Sequence, residues 1–126
     1  MDLQQQAIEF RTCYEVQNSP ENSDMQLRLI REEYQEFIEA EAIINGEPTA
    51  TLYDYENALK ELADLVYVCF QYAENMEWDL ETALDRVHKS NMSKLGLDGK
   101  PIRRQDGKVL KGPNYQPPNL KDLING

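Results

Sequence analysis

Five acidic side chains stand out for their spacing: Glu32, Glu33 and Glu36 in REEYQEFIEA, and Glu61 and Asp64 in KELADLVYV. Stepping about 100° per residue, Glu33 lies roughly 60° or less from Leu29, Ile30, Phe37, Ala40 and Ile44, in the middle of an apolar sector. Glu61 stands in the same relation to Ala58, Leu65, Val68, Tyr72 and Met76. Each has a second acid three residues on, Glu36 or Asp64, on the same side of the helix. Ionised carboxylates on an apolar face are costly unless paired, and several converging on one another are worse. A divalent cation resolves the conflict. Oxygen donors with no His or Cys among them select Mg²⁺, with Mn²⁺ as a substitute, over zinc. Facing helices carrying carboxylates are a common way to build such a site. A di-iron centre fits less well, because its Glu-x-x-His elements are missing. The metal-free alternatives are a solvated acidic face, or an ionic network with Arg28, Arg31 and Lys60, which by phase can only flank the stripe.

A second constellation is basic. The net charge of −10 divides unevenly: Arg86 to Lys111 holds eight basic residues against Asp98 and Asp106, making that segment +6 and the remainder −16. This distribution argues against nucleic-acid binding over the whole surface and suits a small polyanion held between metal ions and lysines. Leu80, Ala83, Leu84 and Val87 form one helical face, which Asn91 and Lys94 continue. An ammonium there needs an anion such as phosphate, or else snorkels to solvent. Lys108 and Lys111, flanking Val109 and Leu110 in GKVLKG, are further phosphate candidates, whereas the adjacent Arg103 and Arg104 read as solvated.

The elements that must position these residues are helices. Leu3, Ala7, Phe10 and Tyr14 predict a first helix over about 2–17, ended by NSPEN. Ser23 and Gln26 read as a capping box opening a second helix over about 24–45, closed by Gly46 and Pro48. Third and fourth helices are expected over about 52–75 and 80–94. After Leu95 two Asp-Gly pairs and four prolines predict turns, a short hairpin between Lys100 and Lys111, and an extended arm. The expected architecture is all-α, a four-helix bundle with a basic, mostly irregular C-terminal arm: residues 1–95 form the helical domain and 96–126 its arm. Phe10 and Tyr14 are expected in the core, with stacking on a nucleobase, helped by Gln17, as the alternative. Cys13 and Cys69 read as reduced core thiols. No run approaches a membrane span and MDLQQQAIEFR lacks the apolar core of a secretory signal, so a cytoplasmic protein without membrane contact is expected. The apolar run Leu65 to Phe70 in so short a chain predicts a homodimer or homotetramer.

EEYQE, ELAD, VHKSNMSK and DGKVLKGPNY together resemble the all-α nucleotide pyrophosphohydrolase superfamily of MazG-like enzymes, dimeric dUTPases and phosphoribosyl-ATP pyrophosphohydrolases, from about Phe10 to Leu120. The resemblance implies a Mg²⁺-dependent enzyme that cleaves a (d)NTP between the α and β phosphates, giving the monophosphate and pyrophosphate. It implies Glu33, Glu36, Glu61 and Asp64 as metal ligands and Glu32 as a further acid that binds metal or orients water. Glu32 or Glu36 is the expected base. Asn91 and Lys94, with Lys108 and Lys111 of the arm, are the expected phosphate ligands. Phosphoribosyl-ATP is the alternative substrate, and a non-catalytic nucleotide-binding helical adaptor the alternative of another class.

Overall fold

The structure, a computed structural model, describes residues 2–46 and 48–124. Four helices carry the chain: α1 (Leu3–Cys13), α2 (Ser23–Gly46), α3 (Leu52–Asn75) and α4 (Leu80–Met92). The fold is all-α as expected, with a small irregular C-terminal region. The chain divides into two compact units, Met1–Trp78 and Asp79–Gly126.

In the first unit α2 and α3 pack along each other, joined by a connector too short for anything but an antiparallel pair, and α1 packs on α3. A capping box opens α3: the Thr51 hydroxyl accepts from the Asp54 N–H, and the Asp54 carboxylate accepts from the Thr51 N–H at 2.9 Å. The expected Ser23 and Gln26 box does not form. The chain enters α2 through a 3-10 turn, Pro20–Asn22, capped by Ser19, so Ser23 is already helical and Gln26 is free to turn inward, where it is buried.

The first helix ends four residues earlier than its apolar spacing predicts, because Glu15 adopts φ 54°. The Val16 N–H then donates back to the Arg11 carbonyl at 2.9 Å, a Schellman closure. Glu77 (φ 60°) ends α3 the same way, with the Trp78 N–H on the Ala73 carbonyl at 2.9 Å. Neither stop carries the glycine that usually announces it. Gln17 therefore lies beyond the helix, and Cys13 and Tyr14 at its end are exposed rather than in the core. Phe10 is also part-exposed, packing on Tyr14 (centroids 4.6 Å) and edge-on to Tyr67 (5.8 Å, 86°). Cys69 is half-buried, and burial pushes its thiol up.

In the second unit α4 ends at Met92 with Ser93 as its cap, so Lys94 follows the helix instead of closing its last turn. The expected hairpin is present as β1 (Ile102–Arg103) and β2 (Val109–Leu110), antiparallel with Ile102 opposite Leu110, turning through Gly107 at φ 93°. The arm is tied back to α4. Arg86 makes a two-pronged ion pair with Asp122 (2.6 and 3.1 Å), the Gln116 N–H donates to the Ser93 hydroxyl (2.9 Å), and the Gly112 N–H donates to the Lys94 carbonyl (2.8 Å).

Candidate metal centre

The acids sit mid-way along α2 and α3, where the two helices face each other. Glu33, Glu61 and Asp64 each bring a carboxylate oxygen within 4.8 Å of the others. Glu61 is buried, Glu33 and Asp64 half-buried. Glu33 Oε2 and Glu61 Oε2 are buried without a hydrogen-bond partner. A buried carboxylate oxygen left unpaired costs more than a neutral polar atom, so two side by side mark a place where the chain has not completed its own electrostatics. Three hard oxygen donors from facing helices, two of them with an orphaned atom, fit a divalent cation such as Mg²⁺.

Glu36, expected as a fourth ligand, lies outside this triad on the exposed side. It still touches it. Its carboxyl is pushed up first by sharing a hydrogen bond with Glu61 and then by the charge of Glu33. Glu33 is pushed up by burial first, then by Asp64 and Glu61. Behind burial at Glu33 and the shared hydrogen bond at Glu36, the crowding of like charges adds to both shifts. Among the described residues the cation paired with the cluster is Lys60, whose ammonium sits 2.9 Å from Asp64 and 3.4 Å from Glu61 and is held above its usual range by that pairing. It flanks the cluster, as phase predicted, from a largely exposed position. Glu32 is exposed on α2.

Of the basic candidates, Asn91 is exposed and Lys94 half-buried in the second unit. Lys108 is exposed in the hairpin, its N–H donating to Asp106 at 3.1 Å. The Lys111 ammonium stacks over the Tyr115 ring, 4.8 Å from its centre.

Sequence reasoning missed a cluster within the first unit. Arg11 is buried on α1, and its five N–H donors meet acceptors around the guanidinium: Nε reaches Asn18 Oδ1 (2.6 Å), Nη1 reaches Gln71 Oε1 (3.2 Å) and the Gln71 carbonyl (3.4 Å), and Nη2 reaches the Gln17 carbonyl (3.1 Å) and Asn75 Oδ1 (2.9 Å). Asn75 also clamps Ser19, accepting from its N–H (3.1 Å) and donating to its carbonyl (2.8 Å). Burial lowers the Arg11 pKa, partly offset by the charge of Glu74. Between this network and the acids lies a cavity of about 310 Å³, lined by Phe10, Gln26, Glu33, Asp64, Tyr67 and Gln71 among others. Arg11 and Asn75 fall at polar positions that an apolar phase count passes over. The available signal was an arginine one turn after Ala7 on the buried side of α1.

Among the described residues no helix is long and apolar enough to cross a membrane. No individual curated protein matches the chain. Residues 3–91 match the family described as phosphoribosyl-ATP pyrophosphohydrolase, a span that contains all four helices nearly in full and every acid of the cluster, and the chain therefore belongs to that family.

Proposed function

We propose that this chain is a Mg²⁺-dependent nucleotide pyrophosphohydrolase that cleaves the α–β phosphoanhydride of a triphosphate-bearing nucleotide. The observation that carries the reading is the pair of orphaned buried oxygens on Glu33 and Glu61 inside a three-carboxylate cluster. Family membership favours phosphoribosyl-ATP as the substrate over a free (d)NTP. A non-catalytic adaptor would be expected to have lost acids from the cluster, and all five are present.

Glu33, Glu61 and Asp64 would hold the cation, with Glu36 joining them when its shared proton leaves. A divalent ion bound there supplies neutralisation of phosphate oxygens and acidification of water. Glu36 or Glu32 takes the proton of the attacking water, Glu36 being the one already in hydrogen-bond contact with the cluster. Water adds to the α phosphorus and pyrophosphate departs with the bridging oxygen. Asn91, Lys94, Lys108 and Lys111 are the proposed phosphate ligands, supported by the +6 charge of their segment.

The test is incubation with a panel of (d)NTPs and phosphoribosyl-ATP in Mg²⁺, reading pyrophosphate against orthophosphate. Pyrophosphate from at least one nucleotide, abolished by chelator, is expected. Orthophosphate as the primary product would defeat the reading.

A homodimer or larger assembly belongs to the same proposal. Leu52, Tyr55, Leu59, Leu62 and Val66 recur at helical spacing along α3, all exposed, an apolar stripe of the kind that a second copy buries.

A further inference from the structure

The cavity beside the metal centre holds two amides that the fold leaves half used. Gln26 and Gln71 are 3% and 5% exposed, yet Gln26 Oε1 and Gln71 Nε2 have no hydrogen-bond partner. Leaving such atoms unpaired costs about 1–3 kcal/mol each; a purely structural residue at position 26 would be better apolar, and Arg11 needs only an oxygen from position 71. The orientation of Gln71 is fixed. Its Oε1 accepts from Arg11 at 3.2 Å, and a guanidinium cannot accept in return, so the nitrogen is the atom left facing a partner from outside. Gln26 directs its nitrogen to Met25 Sδ at 3.8 Å, leaving its oxygen.

We propose that Gln26 and Gln71 read the edge of the substrate's nucleobase, one as acceptor and the other as donor; this rests on the nucleotide reading above. Three observations converge. First, a free acceptor and a free donor in one cavity match a base edge that presents a donor beside an acceptor, whereas phosphate, with acceptors only, would oppose the Gln26 oxygen. Second, Gln26 precedes Glu33 by seven residues on α2, and Gln71 follows Asp64 by seven on α3. On antiparallel helices both displacements run the same way, placing the amides about 10 Å from the acids at 1.5 Å per residue. That is a separation a single nucleotide can span with its phosphates at the acids. Third, Phe10 and Tyr67 give the cavity aromatic walls for a planar ring.

The experiment uses the full chain, the nucleotide of the panel that is cleaved fastest (ATP if none is cleaved), and ribose 5-triphosphate as its base-free counterpart. Gln71→Glu keeps an oxygen for Arg11 but removes the donor, and Gln26→Met removes the acceptor at similar volume. Each should lower kcat/KM for the nucleotide by roughly 10- to 100-fold, the range that one lost buried hydrogen bond predicts, while cleavage of ribose 5-triphosphate stays within about twofold. Equal losses on both substrates would overturn the proposal.

A second readout does not depend on the variants folding. With Ca²⁺ replacing Mg²⁺, the side-chain amide ¹H–¹⁵N signals of Gln26 and Gln71 in the parent should shift on titration with the nucleotide and not with ribose 5-triphosphate. Signals that move alike with both, or with neither, also overturn the proposal. Base-dependent shifts without any pyrophosphate release would keep the amide site and discard the hydrolase reading. Pyrophosphate released equally fast from both compounds by the parent would do the reverse.

Discussion

Two buried charged clusters share α3, and they are finished to different degrees. Around Arg11 the chain supplies an acceptor for each N–H of the guanidinium, from Asn18, Gln71, Gln17 and Asn75, so the charge is dispersed over oxygens that belong to the protein. Elsewhere on α3 and on the facing α2, Glu61 and Glu33 each keep a buried oxygen with no partner, and among the described residues the cation paired with the cluster is an exposed lysine at its edge. The same unit thus completes the buried charge of Arg11 from its own oxygens. The contrast makes the acidic cluster a place held open for something that arrives from solution, and gives the Arg11 network the task of fixing the helix ends around it.

The sharpest way to break this comparison is to remove a carboxylate. Asp64→Asn or Glu61→Gln should cut pyrophosphate release by roughly 10²- to 10³-fold or more, the scale on which a lost electrostatic contact to the reacting centre is felt, while circular dichroism stays that of the parent. Retained activity would leave the acids a structural network. Next in size, Arg11→Met should destabilise the chain by about 3 kcal/mol in urea unfolding, because the oxygens of Gln71, Asn75 and Gln17 lose a charged donor in the interior. If Arg11→Met instead unfolds with the parent, that network is not what holds α1 to α3.

Glu36→Gln separates charge from shape. In chelator it should melt at or above the parent, since one member of a crowded acidic set has become neutral. Mg²⁺ at about 100 times its dissociation constant should add roughly 2.7 kcal/mol to the parent and less to the variant. A variant that melts lower in chelator and gains as much from Mg²⁺ would place Glu36 outside the metal site. The smallest effect belongs to the helix stops: Glu15→Gly should raise stability by about 0.5–1 kcal/mol by relieving the left-handed backbone, on the Arg11 side alone, with Mg²⁺ affinity unchanged. A loss of stability there would mean that the Glu15 side chain has a role beyond its backbone angle.

Much of the site's scaffold was legible because it obeys one rule over many turns. Apolar residues at helical spacing located α3 from Leu52 to Asn75, and put Glu61 on its inner face and Glu33 on that of α2. What escaped were features decided by single atoms. Glu15 ends α1 by a backbone angle that nothing in its side chain announces, so the periodicity ran on to Gln17. Gln26 satisfied a capping pattern on paper, yet the preceding 3-10 turn had already capped the chain and sent it inward. Arg11 could not be placed by hydrophobic phase at all, because its burial depends on acceptors that come from the loop after α1 and the end of α3.

Gly112 has a consequence for how this sequence can drift. Its N–H donates to the Lys94 carbonyl, and a Cβ at that position would collide with the carbonyl oxygens of Lys94 and Leu95. Residues 97–111 are exposed throughout and, apart from Gly99 and Gly107 with their positive φ, individually replaceable at small cost to the fold. Position 112 is not, since every other amino acid would push the arm off the backbone that follows α4. Mutational tolerance along the arm should therefore be wide but punctuated, narrowed at the Gly99 and Gly107 turns by backbone angle and narrowest at position 112, where the arm closes on the backbone after α4.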